Sequence, residues 1–433
     1  MQNLQKEAKM NYQVQSEPCL HAEYERLLSD YEAYCAQGLS LDLSRGKPSA
    51  EQLDEVTAAL VRLGSVSHLS RDGADCRNYG YPVGLPEMRA FWAELTGLPA
   101  ENIVIGGNSS LQLMYDTVAR AMLFGVADSP RPWCREKKIK FLCPTPGYDR
   151  HFAICEAFGI EMISVPLSED GPDMDMVEAL VASDDTVRGM WCVPKYSNPS
   201  GITYSDGVVR RLARMRTAAP DFRVFWDNAY IVHDLYDGGD ALLDIYAEAV
   251  AAGNENRIFY YSSTSKITFP GSGVAMMAMS HENLVCTLPL WQTQTIGYDK
   301  MNQLRHLALL PNREAVMEMM RKHAEHLRPR FAMVKKVFED TLADTGIAEW
   351  THPHGGYFVT LSVLPGTAKR VYSLCRRAGV VLTAAGATHP YGMDPEDKIL
   401  RIAPTYPSLS ELGTALSVLS VAVRLAALER ILA

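Results

Sequence analysis

Short apolar runs alternate with amphipathic stretches over much of this chain. The runs are Ile139–Leu142, Met162–Val165, Met190–Val193, Val224–Trp226, Ile258–Tyr261 and Val274–Met279. Each is too short for a helix, rich in β-branched or aromatic residues, and not strictly alternating. Strands of that texture are buried on both faces, as in a mainly parallel sheet covered by helices. The intervening stretches predict helices over Met174–Ala182, Asp206–Thr217 and Leu242–Ala252. Upstream, Tyr24, Leu27, Leu28, Tyr31 and Tyr34 recur at helical spacing and predict a helix over Glu23–Gln37. Leu85–Thr96 and Ser110–Phe124 read as two more, the latter apolar on most faces.

After about Asn312 the rhythm changes. A long amphipathic stretch runs from Arg313 to about Asp344. Strand-like Tyr357–Val363, helix-like Ala368–Ala378, strand-like Val380–Leu382 and Ile399–Ile402, and a final helix Leu409–Leu432 follow. This α+β order predicts a second, smaller domain. The expected division is an N-terminal segment 1–60 packing with the small domain, a large α/β domain 61–312, and a small α+β domain 313–433.

Composition narrows the classes. Lys and Arg number 42 against 51 Asp and Glu, a formal charge of −9, which argues against general nucleic-acid binding. The 9 cysteines form no C-x-x-C pair, and the 11 histidines show no metal-ligand spacing. Reduced thiols of a cytosolic protein and no metal site are the expectation. Met1–Leu20 is polar, without the apolar core of a signal peptide, and no run reaches the ~18 apolar residues of a membrane span.

Five local patterns carry candidate chemistry. Ser262-Ser263-Thr264-Ser265-Lys266 directly follows an apolar strand. A lysine amine there suits imine formation with an aldehyde cofactor, and the hydroxyls suit a phosphate; a solvated turn lysine reads equally well. Asp227 ends the run Val224–Trp226, at the sheet edge where α/β proteins bind ligands. It could pair with a pyridinium nitrogen or simply cap the next helix. Asn198-Pro199-Ser200-Gly201 is ordinary turn chemistry. Gly106-Gly107-Asn108-Ser109-Ser110 opens a helix, where free N–H groups can bind an anion. Arg401, inside Ile399–Ala403, needs an anionic partner: an internal acid or a substrate carboxylate.

In this order the motifs N-P-S-G, D-N-A-Y and S-T-S-K, with the late Arg401, resemble the class I aminotransferases of the fold-type I pyridoxal 5'-phosphate (PLP) enzymes. The resemblance runs from Gly46 to Arg401. The stretches L-S-R-G-K-P, N-Y-G-Y-P-V-G-L-P-E-M-R, P-T-P-G-Y-D-R-H and S-K-I-T-F-P-G-S-G are most similar to the divergent bacterial aspartate aminotransferase subgroup. It implies a large PLP-binding domain and a role for each matching residue. Lys266 holds the cofactor as a Schiff base and shuttles the proton. Asp227 pairs with the pyridine nitrogen, while Tyr230 and Asn198 bind the phenolic oxygen. Ser109, Ser110 and Ser263, with Asn108, hold the phosphate. Tyr79 reaches the phosphate of the neighbouring subunit of a homodimer. Arg401, with the backbone at Gly46, grips the substrate α-carboxylate. Tyr148, or alternatively Thr145, stacks on the ring.

The sequence departs from the family where relatives carry a phosphate-neutralising arginine shortly after the lysine. Phe269-Pro270-Gly271-Ser272-Gly273 holds none, and Ser272 is expected in its place. The resemblance also implies aspartate and 2-oxoglutarate as the exchange pair, which needs a second cation. Gly297–Asn302 offers Lys300, with no arginine before Arg305. Competing readings are another PLP reaction, such as a β-lyase or decarboxylase, or a PLP-sensing domain of a transcription regulator. For the latter, the segment before Gly46 is short and not basic.

Overall fold

The computed structural model describes residues 11–433. The first ten residues of the expected N-terminal segment, and with them half of the stretch Met1–Leu20, lie outside the described residues.

Strand β1 (Leu41–Asp42) comes first, then β2 (Ile103–Ile105), β3 (Lys140–Thr145), β4 (Glu161–Ser168), β5 (Gly171–Pro172), β6 (Val187–Cys192), β7 (Arg223–Asp227), β8 (Ile258–Ser263) and β9 (Ala275–Ala278). β10 (Ala348–Trp350), β11 (Val359–Val363), β12 (Val380–Val381) and β13 (Ile399–Ile402) complete the set. The large sheet has the order β2-β9-β8-β7-β6-β3-β4-β5. Its centre, from β8 to β4, is parallel; β9 runs antiparallel to β8 and β2, and β5 antiparallel to β4. Every residue of β6, β7 and β8 is buried, which is why those runs carry no polar alternation. The fold is therefore the α/β arrangement that the apolar runs predict, with two strands running against the rest, β9 near one edge and β5 at the other.

The topology fixes where a ligand binds. From β3 the chain steps to β4 on one side and later to β6 on the other, so the winding direction switches between β3 and β6. The crevice beyond the carboxyl ends of such strands is the ligand position of open α/β sheets. Thr145, Cys192, Asp227 and Ser263 end β3, β6, β7 and β8 on that edge.

A second core gathers the C-terminal elements. β10, β11 and β13 form an antiparallel sheet, and β1 pairs with β12 in parallel. Leu20, Leu27 and Tyr31 of helix Glu17–Cys35 join this core, and the Tyr31 hydroxyl donates to Leu374 O at 3.0 Å. Helix Arg313–Thr341 is continuous through Pro329 and is capped by the Asn312 side chain on Ala315 N. The final helix, Leu409–Ile431, starts at a Ser408/Glu411 capping box. Its mean hydropathy of 1.6 makes it long and apolar enough to cross a membrane, which corrects the expectation that no segment is. Yet 72% of that stretch is buried inside the protein, as in the core helix of a globular domain.

Helices His281–Gln294 and Lys300–Leu309 have no counterpart in the hydrophobic pattern. Pro289 and several β-branched residues mask the first. The second starts where the Asp299 side chain caps Asn302 N.

Candidate active site

The chain leaves β8 in a tight 3-10 turn, Thr264–Lys266. That turn brings Lys266 back over the sheet edge, half-buried, with Nζ 4.6 Å from the centre of the Tyr230 ring. Asp227, on the neighbouring strand, is 3% exposed. Its Oδ2 lies 3.2 Å from His151 Nε2 and its Oδ1 3.5 Å from Ser110 Oγ. A carboxylate only accepts, so Nε2 is the protonated nitrogen of His151. The imidazole is in turn stacked on Trp191, ring centres 4.5 Å apart and 13° between planes. The carboxylate is thus held rigidly from two sides. Because such a charge has a high burial cost, an additional cationic partner above it would stabilise it.

Tyr230 lies three residues beyond Asp227 and is fully enclosed. Burial, reinforced by the Asp227 charge, pushes its hydroxyl far above the ordinary tyrosine range, so it stays an O–H donor. Tyr148 has the same character: burial raises it to about 12, with the Lys266 cation opposing. Its ring meets His151 edge-on at 5.0 Å. Near the lysine, burial, together with the Lys266 charge, lowers the His233 pKa to about 3. It is a neutral imidazole.

Arg401 comes to the site from the second core. On β13 it pairs with Thr360 of β11, and it is only 8% exposed. Nε donates to Thr383 Oγ1 at 3.1 Å, while Nη1 donates to Asn198 Oδ1 at 3.4 Å and to Asp149 Oδ1 at 3.0 Å. The guanidinium lies over the Phe358 ring at 5.1 Å. Gly46 packs against the tip of that ring, where a Cβ would come within 2.0 Å of Phe358 Cζ. A side chain at 46 would therefore displace the ring that supports the guanidinium. Of the two partners open to Arg401 in the sequence, an internal acid is present: Asp149, two-thirds enclosed.

Opposite Arg401 lies a set of neutral donors. Ser109 caps helix Ser110–Phe124 without a side-chain hydrogen bond, so the first N–H groups of that helix keep their capacity for an anion. Ser263 Oγ donates to Ser265 Oγ at 3.0 Å, and Ser265 Oγ to Asn108 O at 2.7 Å. The Asn108 amide donates to Gly271 O at 3.3 Å, which ties this loop to the turn bearing Ser272.

The structure thus brings together Lys266, Asp227, Tyr230, Asn198, Arg401, Gly46, Tyr148, Asn108, Ser109, Ser110 and Ser263. Three placements add detail to the expectations. The Ser110 hydroxyl is turned to Asp227, so what it offers an anion is its backbone N–H. Thr145 directs its hydroxyl to Val165 O at 3.4 Å, within the sheet, which leaves Tyr148 facing the lysine. Lys300 is buried, with its charge acting on the Cys76 thiol. Tyr79 stands 81% exposed, outside this set. His151, Asp149 and Phe358 are missing from the sequence reading. The first two lie inside P-T-P-G-Y-D-R-H, and the three-residue spacing of Tyr148 and His151 on a helix start was the available signal. Phe358 had none, because its role depends on β11 and β13 being paired.

A fold of this topology, with a strand-end lysine facing a buried carboxylate and an arginine from a second core, defines a fold-type I transferase. The family described as Aspartate amino-transferase matches residues 16–433. A putative aminotransferase of Mycolicibacterium smegmatis is 51% identical over 98% of this chain and 99% of its own length. An aspartate aminotransferase of Corynebacterium glutamicum is 47% identical over 94% of each chain. The crystal structure of an aspartate transaminase from Corynebacterium glutamicum superposes with a TM-score of 0.94 at 45% identity, covering 98% of this chain and 100% of that one. The chain belongs to the aspartate aminotransferase family and is a transaminase.

Proposed function

We propose that this transaminase uses PLP to exchange the amino group of aspartate with 2-oxoglutarate. The observation that carries the reading is the placement of Lys266 Nζ over Tyr230 beside the buried Asp227, with Arg401 facing them. The donor set fits PLP group by group: an amine for its aldehyde, a buried carboxylate for its pyridine nitrogen, an O–H donor for its phenolic oxygen, and an uncapped helix start with serines for its phosphate. The names of the relatives support the choice of aspartate.

When bound, PLP supplies a carbonyl that takes up the amino group and a ring that accepts electron density from the substrate Cα. The protein's residues do the rest. Lys266 Nζ holds the cofactor at rest and, once released, moves the Cα proton. Asp227, fixed by His151, keeps a proton on the ring nitrogen. Tyr230 and Asn198 donate to the phenolic oxygen, and Tyr148 covers the ring. Arg401 receives the α-carboxylate, with Phe358 and Gly46 holding the guanidinium in plane. Ser263, Ser109 and the helix N-terminus, with Asn108 and Ser272, take the phosphate. Lys300 serves the distal carboxylate across a subunit boundary, and Tyr79 crosses the same boundary to the partner's phosphate, in a cytoplasmic homodimer. Within each subunit the working division is 1–60, 61–312 and 313–433.

The test is a donor screen with 2-oxoglutarate, following glutamate and oxaloacetate. Equimolar formation of both from aspartate supports the reading. Release of ammonia or CO2 instead would assign the site to a lyase or decarboxylase on the same scaffold.

A further inference from the structure

We propose that Arg305 is the cation of the phosphate subsite, acting through Ser272. This deepens the cofactor reading above and rests on it. The donors gathered at the start of helix Ser110–Phe124 are all neutral, whereas a phosphate ester brings a charge of about −1.5 to −2. Helix N-termini and hydroxyls offset part of such a charge; a guanidinium offsets far more.

Arg305 lies on helix Lys300–Leu309, half-buried. Its Nη2 donates to Ser272 Oγ at 2.6 Å and also to Asn302 Oδ1. Both partners are neutral, and among the described residues no carboxylate pairs with this guanidinium. Partly buried charges normally find a counterion, so an anion is the missing partner. The helix is fastened to the turn, since the Asn302 amide donates to Ser272 O at 3.1 Å and to Gly273 O at 3.0 Å. The turn is pressed against the serine loop: a Cβ on Gly273 would lie 3.0 Å from Asn108 O and 3.1 Å from Ser265 N. Arg305 is therefore one residue removed from the wall of the anion site.

The hydroxyl between them sets the direction. A serine has one O–H to donate and lone pairs to accept. Ser272 accepts from Arg305, which leaves its proton free for the anion and polarises the O–H toward donation. Arg305 is on this account a positioning residue with an electrostatic effect, and Ser272 is the group that touches the phosphate.

The test compares PLP with pyridoxal, which has no phosphate, by absorbance titration of cofactor-depleted protein. Arg305→Gln should weaken PLP about 10- to 100-fold, the range expected for losing a charged hydrogen-bond partner, and pyridoxal far less. Arg305→Lys should recover a large part, and Arg305→Gln added to Ser272→Ala should be little worse than Ser272→Ala alone, because the guanidinium acts through that hydroxyl. Unchanged PLP affinity in Arg305→Gln overturns the proposal, as does an equal loss for PLP and pyridoxal, which marks a merely structural arginine. If the parent protein itself binds no PLP, the cofactor reading fails and this inference with it.

Discussion

Asp149→Asn is the substitution whose effect runs opposite to intuition for an active-site residue. In the structure Asp149 Oδ1 occupies Arg401 Nη1 at 3.0 Å, where a substrate carboxylate would bind. Two unit charges ~4 Å apart attract by about 4 kcal/mol at an effective dielectric of ~20. Asp149 keeps 32% of its side chain in water, so the usable attraction falls to about 1 kcal/mol. A substrate must displace that interaction before it binds. The amide substitution removes the competing charge, while Thr383 and Asn198 still hold Arg401 in place at 3.1 and 3.4 Å. The expected result is a KM about fivefold lower for both aspartate and 2-oxoglutarate, with kcat little changed. Steady-state kinetics with a coupled malate dehydrogenase assay reads this directly. A KM that rises for both substrates would refute the reasoning, because Asp149 would then be organising Arg401 for the substrate instead of competing with it.

Three other outcomes follow from the site. Asp227→Ala should lower kcat by at least about 100-fold, on the scale of losing one electrostatic partner of the reacting group, with Asp227→Glu retaining more; equal activity of Asp227→Ala and the parent would reduce the residue to a structural carboxylate. The active unit should be a C2 dimer in which Tyr79 serves the neighbouring site, so sedimentation of a fully active monomer would remove that role. Lys300→Ala should cost aspartate far more than alanine in kcat/KM, since only aspartate leaves its distal carboxylate unpaired; equal losses would exclude Lys300 as the specificity residue.

The residues legible in the sequence share one property: each is tied to a recognisable apolar run. Lys266 follows β8, Asp227 ends β7, and Arg401 interrupts β13, so a strand pattern alone singles them out. What the sequence concealed depends on contacts between distant segments. His151 matters because helix Asp149–Ala157 brings it onto Trp191 of β6 and against Asp227. Phe358 matters because Gly46, far upstream, leaves room for its ring. Arg305 entered the sequence reading only as the first arginine after Lys300, since helix Lys300–Leu309 carries little hydrophobic signature. The expectation that the phosphate would rest on neutral donors came from reading along the chain after Lys266. The guanidinium arrives from another helix.

The central claim is that Lys266 holds the cofactor, and borohydride reduction followed by peptide mass spectrometry tests it most directly. The account predicts a single pyridoxyl adduct on the peptide containing Lys266. It also predicts that Lys266→Ala still takes up PLP but shows no adduct and loses turnover by about 10²-fold or more. An adduct on any other lysine, or near-normal transamination by Lys266→Ala, would contradict it.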